Sequence, residues 1–169
     1  RPLSSSGDST FQRTLVVVDE TVLEPVYRKE DLRPATFYVD GARRRSARIV
    51  VYPPRSVTYG PELSDIQIAR RSVLFAPLNP QNPNLDCGDS RTPGWFEVTG
   101  LIFRYASNAA QRGAVCSGSE GSIFRNNVVE WTNGLGMKVS GYGHQLIENQ
   151  VLNNGQAGIG GHCEYCILD

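Results

Sequence analysis

Two stretches in the C-terminal half resemble each other: FRNNVVEWTNGLGMKV at 124–139 and IENQVLNNGQAGIGG at 147–161. Their alignment places Asn126 on Asn149, and the offset along it is 22 or 23 residues. Short apolar segments that recur at this period are typical of leucine-rich repeats or of a parallel β-helix. The repeat therefore limits the fold to a solenoid.

An earlier copy of the unit supports the second of these architectures. VTGLI at 98–102 aligns with the start of the next unit at an offset of 26, and GAVCS at 113–117 aligns with GMKVS at 136–140 at an offset of 23. The units contain few Leu, and the segments between their apolar runs are rich in Gly, Asn and Ser. A leucine-rich repeat would need a regular L-x-x-L-x-L and a helical return. We therefore predict an all-β fold with a right-handed parallel β-helix over 95–169.

Alternation along each strand assigns side chains to the inner or outer face of the coils. With the offsets above, two stacked rows are predicted to point inward and two to point outward. The inward rows are Ala114/Met137/Ile159 and Cys116/Val139/Gly161, and the outward rows are Val115/Lys138/Gly160 and Ser117/Ser140/His162.

The asparagines predict a stacked amide ladder at one corner of the coils. Asn126 over Asn149, with Gly100 in the preceding coil, would hydrogen-bond to each other and to backbone groups of the turn. The alternative is that these residues are only turn formers. The ladder is favoured because turn formation alone predicts no fixed repeat.

The N-terminal half differs from the coils, and residues 1–76 are predicted to form a region rich in β-hairpins. One hairpin spans 14–26 with its turn at 19–21, and a second spans 36–54 with strands at 36–39 and 49–52. Two more short strands are expected at 65–77 around an Arg-Arg pair. A Pro/Asn/Asp loop over 77–94 then precedes the coils.

Composition excludes several classes of protein. The 169 residues carry 17 Lys+Arg and 17 Asp+Glu, so the net charge is zero, which argues against a protein that binds nucleic acid through bulk charge. No stretch approaches the roughly 18 consecutive apolar residues of a membrane span. The chain begins with Arg and ends on an apolar strand start, Cys166-Ile167-Leu168-Asp169. We expect it to be part of a longer protein, with missing sequence or another chain covering the open terminal coil.

Three segments together resemble extracellular right-handed parallel β-helix proteins of carbohydrate-active type, the glycoside hydrolases and polysaccharide lyases. They are VVVDETVLEPVYRKEDLRPATFYVDGARRR at 16–45, IQIARRSVLFAP at 66–77 and WFEVTGLIFRYASNAAQRGAV at 95–115. The resemblance implies an extracellular or cell-surface protein that acts on a polysaccharide or oligosaccharide. It transfers no catalytic residue to this chain, because the family's carboxylates lie on later coils.

The residues themselves offer three catalytic candidates. Glu130 lies next to Trp131, which gives a carboxyl group an aromatic wall that can stack on a sugar. Lys138 and His162 are predicted on the same outward face one coil apart, a spacing that suits the base of a polysaccharide lyase. Glycoside hydrolysis needs two facing carboxyls, and the glutamates of the coils do not supply such a pair on the glycine-initiated strands.

Sugar binding and metal binding have separate signals. Tyr105, Trp131 and Tyr142 fall near predicted corners and are candidates for stacking on a glycan. No cofactor is indicated, and Ca²⁺ lacks an acidic cluster beside Lys138 and His162. The single C-x-x-C at 163–166, with His144 one coil earlier, falls short of a zinc site. A disulfide or a core position is therefore favoured over a metal for the four cysteines.

Two functions remain after this reading. The first is the N-terminal part of a secreted polysaccharide-active protein, with a glycoside hydrolase favoured. The alternative is a non-catalytic β-helix that serves as a rigid scaffold for surface adhesion or assembly, since solenoids are stiff and extended by repetition.

Overall fold

Nearly all regular structure in this chain is β-strand, in a computed structural model that describes residues 14–41, 47–55, 65–77 and 95–169. The chain divides between Ala69 and Arg70 into two compact units. The described part of the first unit contains six strands and a 3₁₀ turn at Lys29–Asp31. Its strands are β1 (Val16–Val18), β2 (Thr21–Val22), β3 (Glu24–Val26), β4 (Thr36–Asp40), β5 (Arg48–Tyr52) and β6 (Ile66–Ile68).

Both hairpins expected in the first unit are present. β1 and β2 pair antiparallel across Asp19 and Glu20, which both adopt positive φ, as a type I′ turn requires. β4 and β5 pair antiparallel, with Val39 opposite Ile49. The end of the first predicted hairpin differs, because β3 leaves β2 and pairs parallel with β4.

The second unit is a parallel β-helix of about three coils, as the repeat predicts. Each coil contributes one strand to each of three parallel sheets. The first sheet contains β7 (Glu97–Thr99), β10 (Ile123–Arg125), β13 (Gln145–Ile147) and β16 (Ile167–Leu168). The second contains β8 (Ile102–Ala106), β11 (Val128–Thr132) and β14 (Gln150–Asn154), and the third β9 (Gly113–Ser117), β12 (Leu135–Tyr142) and β15 (Ile159–Glu164).

The repeat length changes once, between the first and second coils. β7 and β10 pair at an offset of 26 residues, whereas β9 and β12, and all later strand pairs, are offset by 22. The difference lies in the turn between the second and third sheets, which spans 107–112 in the first coil and only 133–134 in the second. The predicted offset of 23 is therefore wrong by one residue.

This one-residue error inverts the predicted faces of β9. Val115, not Ala114, stacks on Met137 and Ile159, and it is fully buried in the core. Ser117 stacks on Val139 and is also fully buried. Because strand side chains alternate, a slip of one residue moves every side chain to the opposite face. The prediction that Met137 is buried inside the coils is confirmed, and Ile159 packs against the same core.

The amide ladder exists one residue away from its predicted position. Asn127, not Asn126, stacks on Asn149: its Nδ2 donates to Asn149 Oδ1 at 3.0 Å and to the Val98 carbonyl at 2.9 Å. Asn127 Oδ1 accepts from the Leu101 N–H at 3.1 Å. Asn126 is exposed and adopts φ +53° at the corner itself.

Every corner of the coils contains a residue with positive φ. These corner residues stack in three rows, and each row has one member per coil. The rows are Gly100/Asn126/Glu148, Tyr105/Trp131/Asn153 and Gly121/Gly143/Tyr165.

An aromatic residue from outside the repeats closes the N-terminal end of the core. Phe75 forms a parallel bridge to Val115, and its ring lies 5.6 Å from that of Phe96 and 6.2 Å from those of Phe103 and Phe124. Of the two strands expected at 65–77, only β6 forms, and this bridge replaces the second. The predicted loop over 78–94 lies outside the described residues. At the other end of the solenoid, Ile167 and Leu168 pair with β13 and are more than half exposed.

Candidate functional site

The outer face of the third sheet brings together Lys138 and His162, as predicted. Lys138 on β12 is in register with Gly160 on β15, and Ser140 is in register with His162. The two side chains are thus one coil and two residues apart, a backbone separation of about 8 Å. Lys138 is half-buried, and the His162 side chain is 90% exposed.

This face is narrower than the sequence indicated. Val115 and Ser117 were expected to extend it into the first coil, but both are in the core. Cys116, which takes their place in the outward row beside Lys138, is buried and disulfide-bonded. The accessible face therefore covers the second and third coils.

The floor of this face has to be small for steric reasons. A Cβ added at Gly160 would lie 2.8 Å from the Leu135 Cδ1 atom, and one added at Gly161 would collide with the carbonyl oxygen of Val139. Gly161 also adopts φ +124°, which L-residues rarely do. The close packing of these two glycines leaves Lys138 and His162 as the projecting side chains around them.

Glu130 lies elsewhere, on β11 of the second sheet. Its side chain is 14% exposed and its carboxylate accepts a hydrogen bond from Nε of Arg104, its register partner on β8. The three catalytic candidates are thus divided between two sheets, and the carboxylate of Glu130 is engaged in an ion pair. The nearest carboxylate partner of His162 is Glu164, at 4.0 Å.

The three aromatic candidates occupy the two ends of the third sheet. Tyr105 and Trp131 stand at the corner where the chain enters that sheet, and Tyr142 ends β12 where the chain leaves it. Tyr165, which sequence reasoning did not select, packs its ring 5.1 Å from that of Tyr142 and is 80% exposed. Its position two residues after Cys163 gave no repeat signal, because the aligned residues of earlier coils are glycines.

The C-x-x-C forms a disulfide between Cys163 and Cys166. His144, one coil earlier, is fully buried; its backbone N–H donates to Cys166 Sγ at 3.2 Å, and its Nε2 lies 3.2 Å from the Ser140 carbonyl. Within the described ranges, no group of three or more His, Cys, Asp or Glu is arranged to hold a metal ion. Cys87 lies outside the described residues.

The chain matches no protein-family model, no curated protein and no solved structure in the three comparisons made. None of the described segments forms a helix that is both long and apolar enough to cross a membrane. The function therefore has to be argued from the residues and their geometry.

Proposed function

We propose that this chain is the N-terminal part of a secreted polysaccharide-active β-helix protein, and that a glycan binds across the outer face of its third sheet. The observation that carries the proposal is the pairing of β12 with β15, which puts Lys138 and His162 on one exposed face around a glycine floor. A flat floor with cationic side chains at its edge suits an extended polymer that bears hydroxyl or carboxylate groups.

Tyr142 and Tyr165 support the proposal at the end of the same face. Both rings are more than half exposed, and they stack on each other at the exit of the third sheet. Exposed aromatic rings pair well with the apolar faces of sugars. A glycan that follows β12 would meet the lysine first and the two tyrosines at the end of the strand.

The proposal separates glycan binding from bond cleavage. Glu130 is ion-paired with Arg104, and it lies on a different sheet from Lys138 and His162. A glycoside hydrolase needs two carboxyls about 5–10 Å apart across the scissile bond. In this proposal, hydrolysis depends on carboxyls outside these 169 residues, and the described coils position the polymer.

The test is a double substitution of Lys138→Ala with His162→Ala, measured by affinity electrophoresis through gels containing polygalacturonic acid or xylan. Hydrogen bonds to charged groups are individually strong, so the expected loss of affinity is about tenfold or more. Lys29, the only other lysine of the chain, is exposed in the first unit, and Lys29→Ala serves as the matched control. Circular dichroism verifies that each variant is folded. Equal retardation of the wild type and the double variant would refute this site.

A non-catalytic scaffold is the second candidate, and one observation favours it. Ile167 and Leu168 continue the first sheet and expose apolar side chains at the last coil. Such an edge suits stacking by further coils or by another chain. A chain that assembles through this end and is not retarded by any glycan would support the scaffold.

A further inference from the structure

The corner between the second and third sheets contains two aromatic residues in a backbone conformation that disfavours them. Tyr105 has φ +64° and Trp131 has φ +56°, whereas the third member of the row, Asn153, has φ +52°. Positive φ is a genuine outlier for a bulky side chain, while Asn and Gly adopt it readily. The corner therefore needs a left-handed residue, and Asn153 shows that an ordinary one serves.

The same left-handed residue explains why the two rings face outward. Val129 and Thr132 on β11 are both buried, although an unbroken alternation would place residues three apart on opposite faces. The turn of the backbone at Trp131 lets two consecutive side chains, Glu130 and Trp131, point away from the core. Tyr105 repeats this arrangement one coil earlier, between Arg104 and the buried Ala106.

Two half-buried rings therefore project from neighbouring coils, with backbones about 4.8 Å apart. Their charged neighbours on the same strands, Arg104 and Glu130, form an ion pair. The pair adds no net charge to the corner, but its polar atoms can exchange hydrogen bonds with hydroxyl groups. Unfavourable backbone conformations that persist at exposed residues tend to occur where a site needs them.

We propose that Tyr105 and Trp131 form a two-ring platform for the pyranose rings of a neutral polysaccharide. This inference rests on the proposed function and adds the chemical class of the glycan at this corner. An uncharged sugar fits because the platform offers apolar ring faces beside a neutralised ion pair, whereas Lys138 and His162 on the next sheet suit acidic groups.

The competing explanation is that the rings only pack on the protein, and Asn153 supplies the variant that separates the two. Trp131→Asn and Tyr105→Asn keep a residue that accepts positive φ and remove the ring. A binding platform predicts an unchanged or higher melting temperature together with affinity for neutral glycans reduced about two- to tenfold per ring. A packing role predicts a lower melting temperature, and that result would overturn the proposal.

Intrinsic fluorescence provides a local readout, because the chain has only two tryptophans. In a Trp95→Phe background, Trp131 is the sole emitter, and we expect saturable changes in its emission with xylohexaose but not with hexagalacturonate. An emission that is unchanged by every neutral oligosaccharide, while Lys138→Ala with His162→Ala still weakens retention, would refute the platform and leave the proposed function standing. Failure of the wild type to bind any glycan would refute both.

Discussion

Replacement of Asn127 by Leu tests the amide ladder and the 22-residue register together. The Asn127 side chain is buried and connects three positions: it accepts from the Leu101 N–H and donates to the Val98 carbonyl and to Asn149 Oδ1. Leucine has a similar volume, so the change removes hydrogen bonds without opening a large cavity. It leaves the Leu101 N–H without its acceptor and the Val98 carbonyl without its side-chain donor.

The expected cost follows from these two backbone groups. A buried polar group that loses its partner costs about 1–3 kcal/mol, and the exposed side of the Leu101 corner admits some water. We therefore expect the free energy of unfolding of the solenoid to fall by about 2–4 kcal/mol. For a chain of this size, that change lowers the melting temperature by about 5–15 °C.

Asn126→Gly is the matched control, because Asn126 is the neighbouring residue that a 23-residue offset would place in the ladder. It is exposed with φ +53°, a conformation that glycine adopts freely, so its substitution should change stability by no more than about 0.5 kcal/mol. Urea unfolding followed by far-UV circular dichroism gives both values, and hydrogen exchange of the Leu101 amide reports the lost bond. Destabilisation by Asn126→Gly but not by Asn127→Leu would refute the register.

Three further outcomes are expected. Phe75→Ala removes the ring that closes the N-terminal end of the core and should cost about 2–4 kcal/mol in urea unfolding, with no loss expected if that end is closed by other residues. Gly134→Ala should destabilise by about 2 kcal/mol or more in the same assay, because its Cβ would collide with the Ala109 carbonyl, whereas Gly158→Ala has more room and should be tolerated. Reduction of the disulfide of the last coil should raise hydrogen exchange in β15 while β9 stays protected, since a loop this short contributes only about 2 kcal/mol; uniform exchange across all coils would contradict a local role.

The architecture was predictable because a solenoid writes its period into the sequence. The short apolar runs recur, and the segments between them are too rich in Gly and Asn for helices. The register was harder, because Asn126 and Asn127 are adjacent and identical, and only one of them faces inward. An alignment of similar letters cannot separate them, since the decision is made by backbone hydrogen bonds from Leu101 and to Val98.

The site was predicted in part for the same physical reason. Lys138 and His162 come together because they belong to the second and third coils, where one assumed offset is correct. Val115 and Ser117 were misplaced because the change of spacing lies in the turn just before them, at 107–112. The closing role of Phe75 had no signal, because this residue lies outside the repeats and acts only through three-dimensional packing.

The constant spacing between paired strands has a consequence for how the chain reaches its fold. In the solenoid, every strand finds its neighbour 22 or 26 residues away, however many coils precede it. The mean sequence separation of contacts, which slows folding as it grows, therefore stays constant as coils are added. During synthesis from the N-terminus, the first coil with Phe75 beneath it is complete before the next emerges, so each new coil meets a finished template.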